Sequence, residues 1–319
     1  MGTARRPRAL RSPTSAGPQW PPTRASNPVS SPTASAEAVL RRSSPSGLLK
    51  GPRELALMRE AGRRVAEVLV HLREAVAPGV STGDLDALAR ERIAALGGQP
   101  SFLGYQGFPA SVCVSVDEEV VHGIPGRVSF RGHVVPDRSL RSGQLVSIDC
   151  GVVFEGYHGD GALTLAVGSI SPEKHDLLEA GRAALWAGLE RLRPGARVSD
   201  IARGVQGAVA RIGLRHGRRY GIVRDYSGHG IGRSLHEEPT IPNVVSSVLR
   251  HRDCVLRPGL VLAIEPMLSL GTHRTRLRED GWTVVTRDGR PSCHFEHTVA
   301  VTETGFEVLT RLPDGSLTH

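Results

Sequence analysis

Two stretches of this chain read alike at a separation of 116 residues. "PGVSTGDLDALARERIAALG" runs from Pro78 to Gly97, and "PGARVSDIARGVQGAVARIG" from Pro194 to Gly213. Each opens on Pro-Gly, places Asp before Leu or Ile, and closes on Gly. The same shift lays "SGQLVSID" (Ser142 to Asp149) over "PGLVLAIE" (Pro258 to Glu265). Distant segments obeying one offset predict a single domain made of two related α+β halves. Asp149 then falls on Glu265, each following an isoleucine at the end of an apolar run.

Local patterns agree with that reading. Leu55, Met58, Gly62, Val65, Leu69, Leu72 and Val76 recur at helical spacing between Pro52 and Pro78, which predicts a helix there. A second helix is expected after Ser81–Thr82, ending at Gly97, and two more over 173–192 and 199–212. Strand-like runs are "SVCVSV", "QLVSIDCGVV", "GALTLAVG", "GLVLAIEPML", "WTVVT" and "FEHTVAVT". No apolar run reaches the ~18 residues of a membrane span. The richest, "GLVLAIEPMLSL", is broken by Glu265 and Pro266.

The formal charge of +8 sits at one end of the chain. Residues 1–50 hold seven Arg and one Lys against Glu37, a net of +7, which leaves +1 for residues 51–319. A nearly neutral body argues against sequence-specific nucleic-acid binding. Residues 1–47, rich in Pro, Ser and Arg, carry too little apolar surface to offset the entropy of ordering. They are expected to form a disordered basic extension before a domain spanning 48–319. Their acid-poor composition also fits an organellar transit peptide. Cys113, Cys150, Cys254 and Cys293 form no CxxC pair, which suits a reducing, cytoplasmic setting and excludes a four-cysteine zinc site.

Chemistry is signalled by charges inside apolar runs. Asp149 and Asp160 flank a turn near Glu155–Gly156, and a hairpin there brings the two carboxylates side by side across the strands. Such a pair repels unless cations sit between them. Glu265 and Glu296 repeat the situation in the second half. "DYSGHGIGRSLHEEP" (Asp225 to Pro239) adds His229 and His236, and its glycines oppose a helix and predict a loop. Carboxylates with histidine favour hard divalent ions such as manganese, ferrous iron or cobalt. The number of acids suits two ions about 3.5–4 Å apart.

As a set, "SVCVSVDEEVVHGIP", "IDCGVVFEGYHGD", "SGHGIGRSLHEEP", "IEPM" and "FEHTV" resemble the motifs of type I methionine aminopeptidases, over roughly residues 48–310. The resemblance implies a pita-bread fold of the α+β class, an antiparallel sheet covered by helices with an internal pseudo-two-fold. It further implies two divalent ions (cobalt, manganese, ferrous iron, zinc or nickel) held by Asp149, Asp160, His229, Glu265 and Glu296. By the same likeness His236 reaches the scissile carbonyl oxygen, His122 contacts the amide nitrogen, and Glu265 relays a proton. Phe102, Tyr105, Phe108, Cys113, Leu235 and Trp282 wall the pocket for methionine.

The implied activity is removal of the initiator methionine from nascent chains, preferentially before a small second residue, by a monomer. The basic extension is then a candidate contact to the ribosome. Four positions depart from the family pattern: Gly161 stands where a hydroxyl residue is frequent, so a supporting hydrogen bond near Asp160 is expected to be missing, His294 where glutamine is common, Asp117 at a usual asparagine position, and Phe102 where some members carry a smaller residue. Competing readings are an Xaa-Pro peptidase of the same fold, which carries a folded domain ahead of the catalytic one, and a metal-free binding protein, which would have lost ligands.

Overall fold

The computed structural model describes residues 48–246, 249, 253–312 and 314–315; the predicted extension over 1–47 lies outside them. Four helices stand where the sequence predicts helices: α1 (Pro52–Ala75), α2 (Thr82–Ala95), α3 (Pro172–Leu189) and α4 (Val198–Arg215). In α1, Met58, Val65, Leu69 and Leu72 are buried, and the helix lies across the sheet below. Among the described residues no helix is long and apolar enough to cross a membrane.

The main sheet holds β1 (Gln99–Pro100), β2 (Val112–Val116), β3 (Leu145–Phe154), β4 (Tyr157–Ala166), β5 (Gly228–Gly230), β6 (Glu237–Ile241), β7 (Val261–Ile264), β8 (Glu296–Val301) and β9 (Phe306–Val308). Its spatial order is β1-β3-β4-β8-β7-β5-β6, with β2 also on β3 and β9 also on β8. The pairings are antiparallel. β4 from the first half meets β8 from the second, so the seam between halves runs through the middle of the sheet. "GLVLAIEPML" is not one strand: pairing stops at Ile264 and resumes at Met267 in a separate small sheet, because Pro266 has no N–H to donate.

The duplication extends to single hydrogen bonds. Isolated bridges join Ser81 to Ser139 and Arg197 to Val255. Asp84 accepts the Ser81 N–H at 3.0 Å, and Asp200 accepts the Arg197 N–H at 2.9 Å. Asp137 accepts the Gly83 N–H at 3.0 Å, and Asp253 the Ser199 N–H at 2.9 Å. All of these positions differ by 116 in number. Each half thus starts its second helix with the same carboxylate cap.

Two sequence expectations change. The β3–β4 hairpin turns at Glu155–Gly156, both at positive φ (48° and 77°), the backbone of a tight two-residue hairpin. Asp149 is opposite Ala162, however, and Asp160 is opposite Gly151. The two acids are therefore diagonal neighbours on one face rather than side by side. The glycine-rich histidine segment is also not a loop throughout. Gly228–Gly230 is a strand held between β6 and β7. A methyl added at Gly230 would lie 2.1 Å from Glu238 O, and one at Gly228 would lie 2.3 Å from Ala263 O. Glycine at 228 and 230 removes the two side chains for which this strand has no room, while His229 between them projects to the open face.

Gly230→Ala is expected to lower unfolding free energy by about 1–3 kcal/mol through overpacking, measured by urea unfolding of metal-free protein. Gly207→Ala, where the added methyl meets only the Arg211 guanidinium at 3.4 Å, should instead gain up to about 1 kcal/mol of helix propensity. Equal effects at the two sites would contradict this account.

Candidate metal centre

Directly opposed residues in an antiparallel sheet project to the same face. One row across the sheet reads Cys113, Asp149, Ala162, Glu296. A second row reads His229, Ala263, Thr298. Thr298 is two residues from Glu296 and Asp160 is two from Ala162, so both rows share one face. Each row has an alanine at its centre, and both alanines are fully buried. Their short side chains leave room over the seam, and the acids and His229 close around that room.

Asp160, His229 and Glu296 each bring a ligand atom within 4.8 Å of the other two. His229 Nε2 is 4.0 Å from Asp160 Oδ2 and 3.6 Å from Glu265 Oε1. His294 Nε2 stands 3.6 Å from Glu265 Oε2 and 3.9 Å from Glu296 Oε2. His229 Nδ1 donates to its neighbour's carbonyl, Gly230 O, at 2.9 Å. That fixes the tautomer and turns the Nε2 lone pair toward the acids.

The seam is pinned by two threonines that sequence reading missed. Thr298 Oγ1 accepts the Asp160 N–H at 2.9 Å and donates to Asp160 O at 2.7 Å. Thr164 Oγ1 does the same for His294, at 2.8 Å each way. The missing hydroxyl at 161 has a physical account. A side chain there would meet Val65, Leu69 and Thr310 on the helix-covered face, while the Gly161 N–H itself donates to Asp160 Oδ1 at 3.1 Å.

Electrostatics make this cluster costly without cations. Burial and the neighbouring Asp160 and Glu265 drive Asp149 well above the carboxylate range. Burial pushes Asp160 up to about 7, against the pull of hydrogen bonds from Gly161 and Asp149. Glu265 is raised by burial and by Asp160, and Glu296 by burial and by the other three acids. Burial lowers His229 to about 4, so it is a neutral imidazole at neutral pH. Asp149 Oδ1 is buried with no hydrogen-bond partner. A lone acceptor among four crowded acids and a neutral imidazole fits divalent cations bound by oxygen and nitrogen.

The remaining predicted residues gather beside this face. Phe102, Phe108, Cys113, Leu235, Tyr105 and Trp282 belong to one apolar cluster apart from the main core. Phe130 and Ile231, which sequence reading did not single out, line it too. Trp282 stacks on Phe108 at 5.6 Å and meets Phe130 edge-on at 5.7 Å. His122 lies 6.0 Å from Trp282, with φ of 62°, a strained backbone for a non-glycine residue. His236 stands at the exposed mouth, its ring 4.2 Å from that of His229 and its Nδ1 2.8 Å from the Tyr105 hydroxyl. Desolvation holds His122 near 4, with His236 adding to the effect, and His236 near 3, with His229 and His158 adding. Both are neutral imidazoles.

A duplicated sheet gathering four acids and a neutral histidine beside an apolar pocket defines a metal-dependent hydrolase. The chain belongs to metallopeptidase family M24, whose model matches residues 56–303. It is 46% identical over 265 residues to methionine aminopeptidase 1 of Bacillus subtilis, covering 83% of this chain and 99% of that protein. It is also 46% identical over 257 residues to methionine aminopeptidase 1 of Mycobacterium tuberculosis, covering 81% and 92%. The crystal structure of a Thermotoga maritima methionine aminopeptidase superposes with a TM-score of 0.74 at 39% identity, over 82% of this chain and 98% of that one. A prolidase from Pyrococcus furiosus, at 20% identity and a TM-score of 0.63, shares the fold.

Metal-free protein should show the cost of the cluster. Asp160 moves from an ordinary 3.8 to about 7 on folding, so the folded chain keeps a proton that the unfolded chain releases. Its contribution to stability is complete below about pH 4 and vanishes as pH rises through about 7. Bound cations replace that proton. The gap in melting temperature between manganese-loaded and metal-free protein is therefore expected to widen between about pH 5 and pH 8, by calorimetry. A gap independent of pH would contradict the raised carboxylates.

Proposed function

We propose that the chain is a methionine aminopeptidase that removes the initiator methionine from nascent proteins and peptides, preferentially when the second residue is small. The observation that carries this reading is the shared row of Cys113 and Asp149, which makes the apolar pocket and the acidic face neighbours on one wall. Identity above 40% to several methionine aminopeptidases supports it.

Asp149, Asp160, His229, Glu265 and Glu296 are the side chains that would hold two divalent ions. When bound, such ions supply Lewis acidity and a water of lowered pKa at neutral pH. The chain's own groups supply the rest. His236 accepts the Tyr105 hydroxyl proton at Nδ1, keeps its own proton on Nε2, and offers it to the scissile carbonyl oxygen as charge grows there. Glu265 takes a proton from the attacking water and passes it to the leaving amine. His122, neutral and held by its strained backbone, contacts the amide nitrogen. Phe102, Phe108, Cys113, Leu235 and Trp282 enclose the methionine side chain and exclude water. One methylene in such a pocket is worth only ~1–3 kcal/mol, so selectivity over leucine is strong but finite. In this reading the enzyme acts in the cytoplasm as a monomer, with the basic extension over 1–47 as a ribosome contact ahead of a catalytic domain over 48–319.

Protein stripped with chelator and restored with manganese or cobalt is expected to release methionine from Met-Ala-Ser. Leu-Ala-Ser should be slower by about 10- to 200-fold, and Ala-Pro peptides should stay intact. Cleavage before proline would move the chain to the prolidase branch of the fold. Deleting residues 1–45 should leave the Met-Ala-Ser rate unchanged within about twofold, since ligands and pocket all lie beyond residue 100. A large loss on this tripeptide would place catalytic function in the extension.

A further inference from the structure

Between β5 and β6 the chain makes a short connection, Ile231 to His236, that presents both Leu235 and His236. Backbone bonds hold it in part: the Ile231 N–H donates to Val261 O at 3.1 Å, the Gly232 N–H to Ser234 O at 3.1 Å, and Gly232 O accepts the His158 N–H at 2.8 Å. Ile231 and Leu235 are buried, and the His236 ring meets the Tyr105 hydroxyl. Beside these contacts stands an ion pair spanning 187 residues of sequence. Lys50 Nζ donates to Glu237 Oε2 at 2.5 Å and to Leu48 O at 3.0 Å. The other oxygen of Glu237 accepts the Ser234 N–H at 3.2 Å. The ammonium is almost wholly buried, with 4% of the Lys50 side chain exposed against 15% for Glu237.

The pair is built into its surroundings from both sides. Lys50 is fixed at its backbone, where its N–H donates to Gly259 O at 2.7 Å beside the Leu49–Leu260 bridge. Gly232 lies against the pair so closely that an added methyl would sit 2.6 Å from Glu237 Oε1 and 2.6 Å from Lys50 Cε. A buried ion pair gives little net stability, because desolvation offsets the attraction. What it does supply is a fixed direction: each charge accepts only a partner in one place. Here that place is the residue next to His236.

We propose that Lys50 is a positioning residue, which through Glu237 braces the 231–236 connection so that His236 and Leu235 face the substrate. The catalytic part of this rests on the aminopeptidase reading of His236, while the brace itself does not. The segment leading out of the basic extension is thereby tied mechanically to the mouth of the site.

The full-length, manganese-loaded protein tests this with two readouts. Lys50→Met is expected to speed hydrogen exchange at residues 231–237 about tenfold or more while leaving Val261–Ile264 protected. Its kcat on Met-Ala-Ser should fall about 10- to 100-fold, the cost of small misplacement, with bound metal unchanged. Combined with His236→Ala, it should cost much less than the product of the two single losses, since most of its effect passes through His236. Lys50→Met with Glu237→Gln removes both charges and guards against a folding defect from one stranded charge; a folded, loosened and slow protein is expected. Native exchange in either variant, or multiplicative losses with His236→Ala, would overturn the brace. An unmodified enzyme inactive on Met-Ala-Ser, beside a loosened loop in Lys50→Met, would uphold the brace and remove the aminopeptidase reading.

Discussion

Mutual repulsion among Asp149, Asp160, Glu265 and Glu296 is the constraint that the rest of the molecule answers. Each acid is pushed up by burial, and every one has at least one other acid among its causes or contacts. Four such groups cannot all be ionised in a low-dielectric site without cations among them. Left to relax, side chains of this kind would rotate to solvent or protonate. A stiff sheet prevents the first outcome, and divalent metal prevents the second. The site is therefore expensive for the bare polypeptide and favourable only for the loaded one, which is how a metal centre couples to folding.

Duplication explains how that stiffness arises. Each half delivers an acid at an equivalent position, Asp149 within β3 and Glu265 just past the end of β7, and each half begins its second helix with the same carboxylate cap. In the main sheet the halves join where β4 meets β8, paired at Glu296–Ala162 and His297–Gly161. Beyond those pairs the strands diverge, and Thr298 and Thr164 clasp the opposing backbone instead. Divergence opens the space that ligands need; the hydroxyl clasps stop it from opening further. Ala162 and Ala263 complete the device by leaving the floor of that space low. Preorganisation of this sort costs stability elsewhere and gains rate at the site.

The sequence carried the architecture where physics is local or periodic. Helix faces, strand runs and the turn at Glu155–Gly156 depend on residues close in number, and the 116-residue shift is a periodicity that needs no contact to be seen. The acids were legible too, since a charge inside an apolar run demands compensation whatever its partners are. Two kinds of information were not legible. Register between distant strands was one: that Gly228–Gly230 is a strand follows from pairings with β6 and β7, whereas the diagonal of Asp149 and Asp160 follows from the turn at Glu155–Gly156 once the pairs are counted back from it. Long-range polar contacts were the other. Thr298 looks like any strand threonine until it meets Asp160, 138 residues away, and Phe130 enters the pocket wall only because Trp282 folds onto it.

Separation of the apolar clusters has a consequence for how such an enzyme can vary. The main core is built from the helices and the covered face of the sheet, whereas Phe102, Phe108, Cys113, Leu235 and their neighbours form a cluster of their own. Substitutions in the smaller cluster therefore leave filled the core that carries the sheet. Cys113 belongs to that smaller cluster and pairs directly with Asp149 across β2 and β3. A larger residue at 113 would press on that acid as well as on its apolar neighbours, so this position couples the cluster to the acidic face.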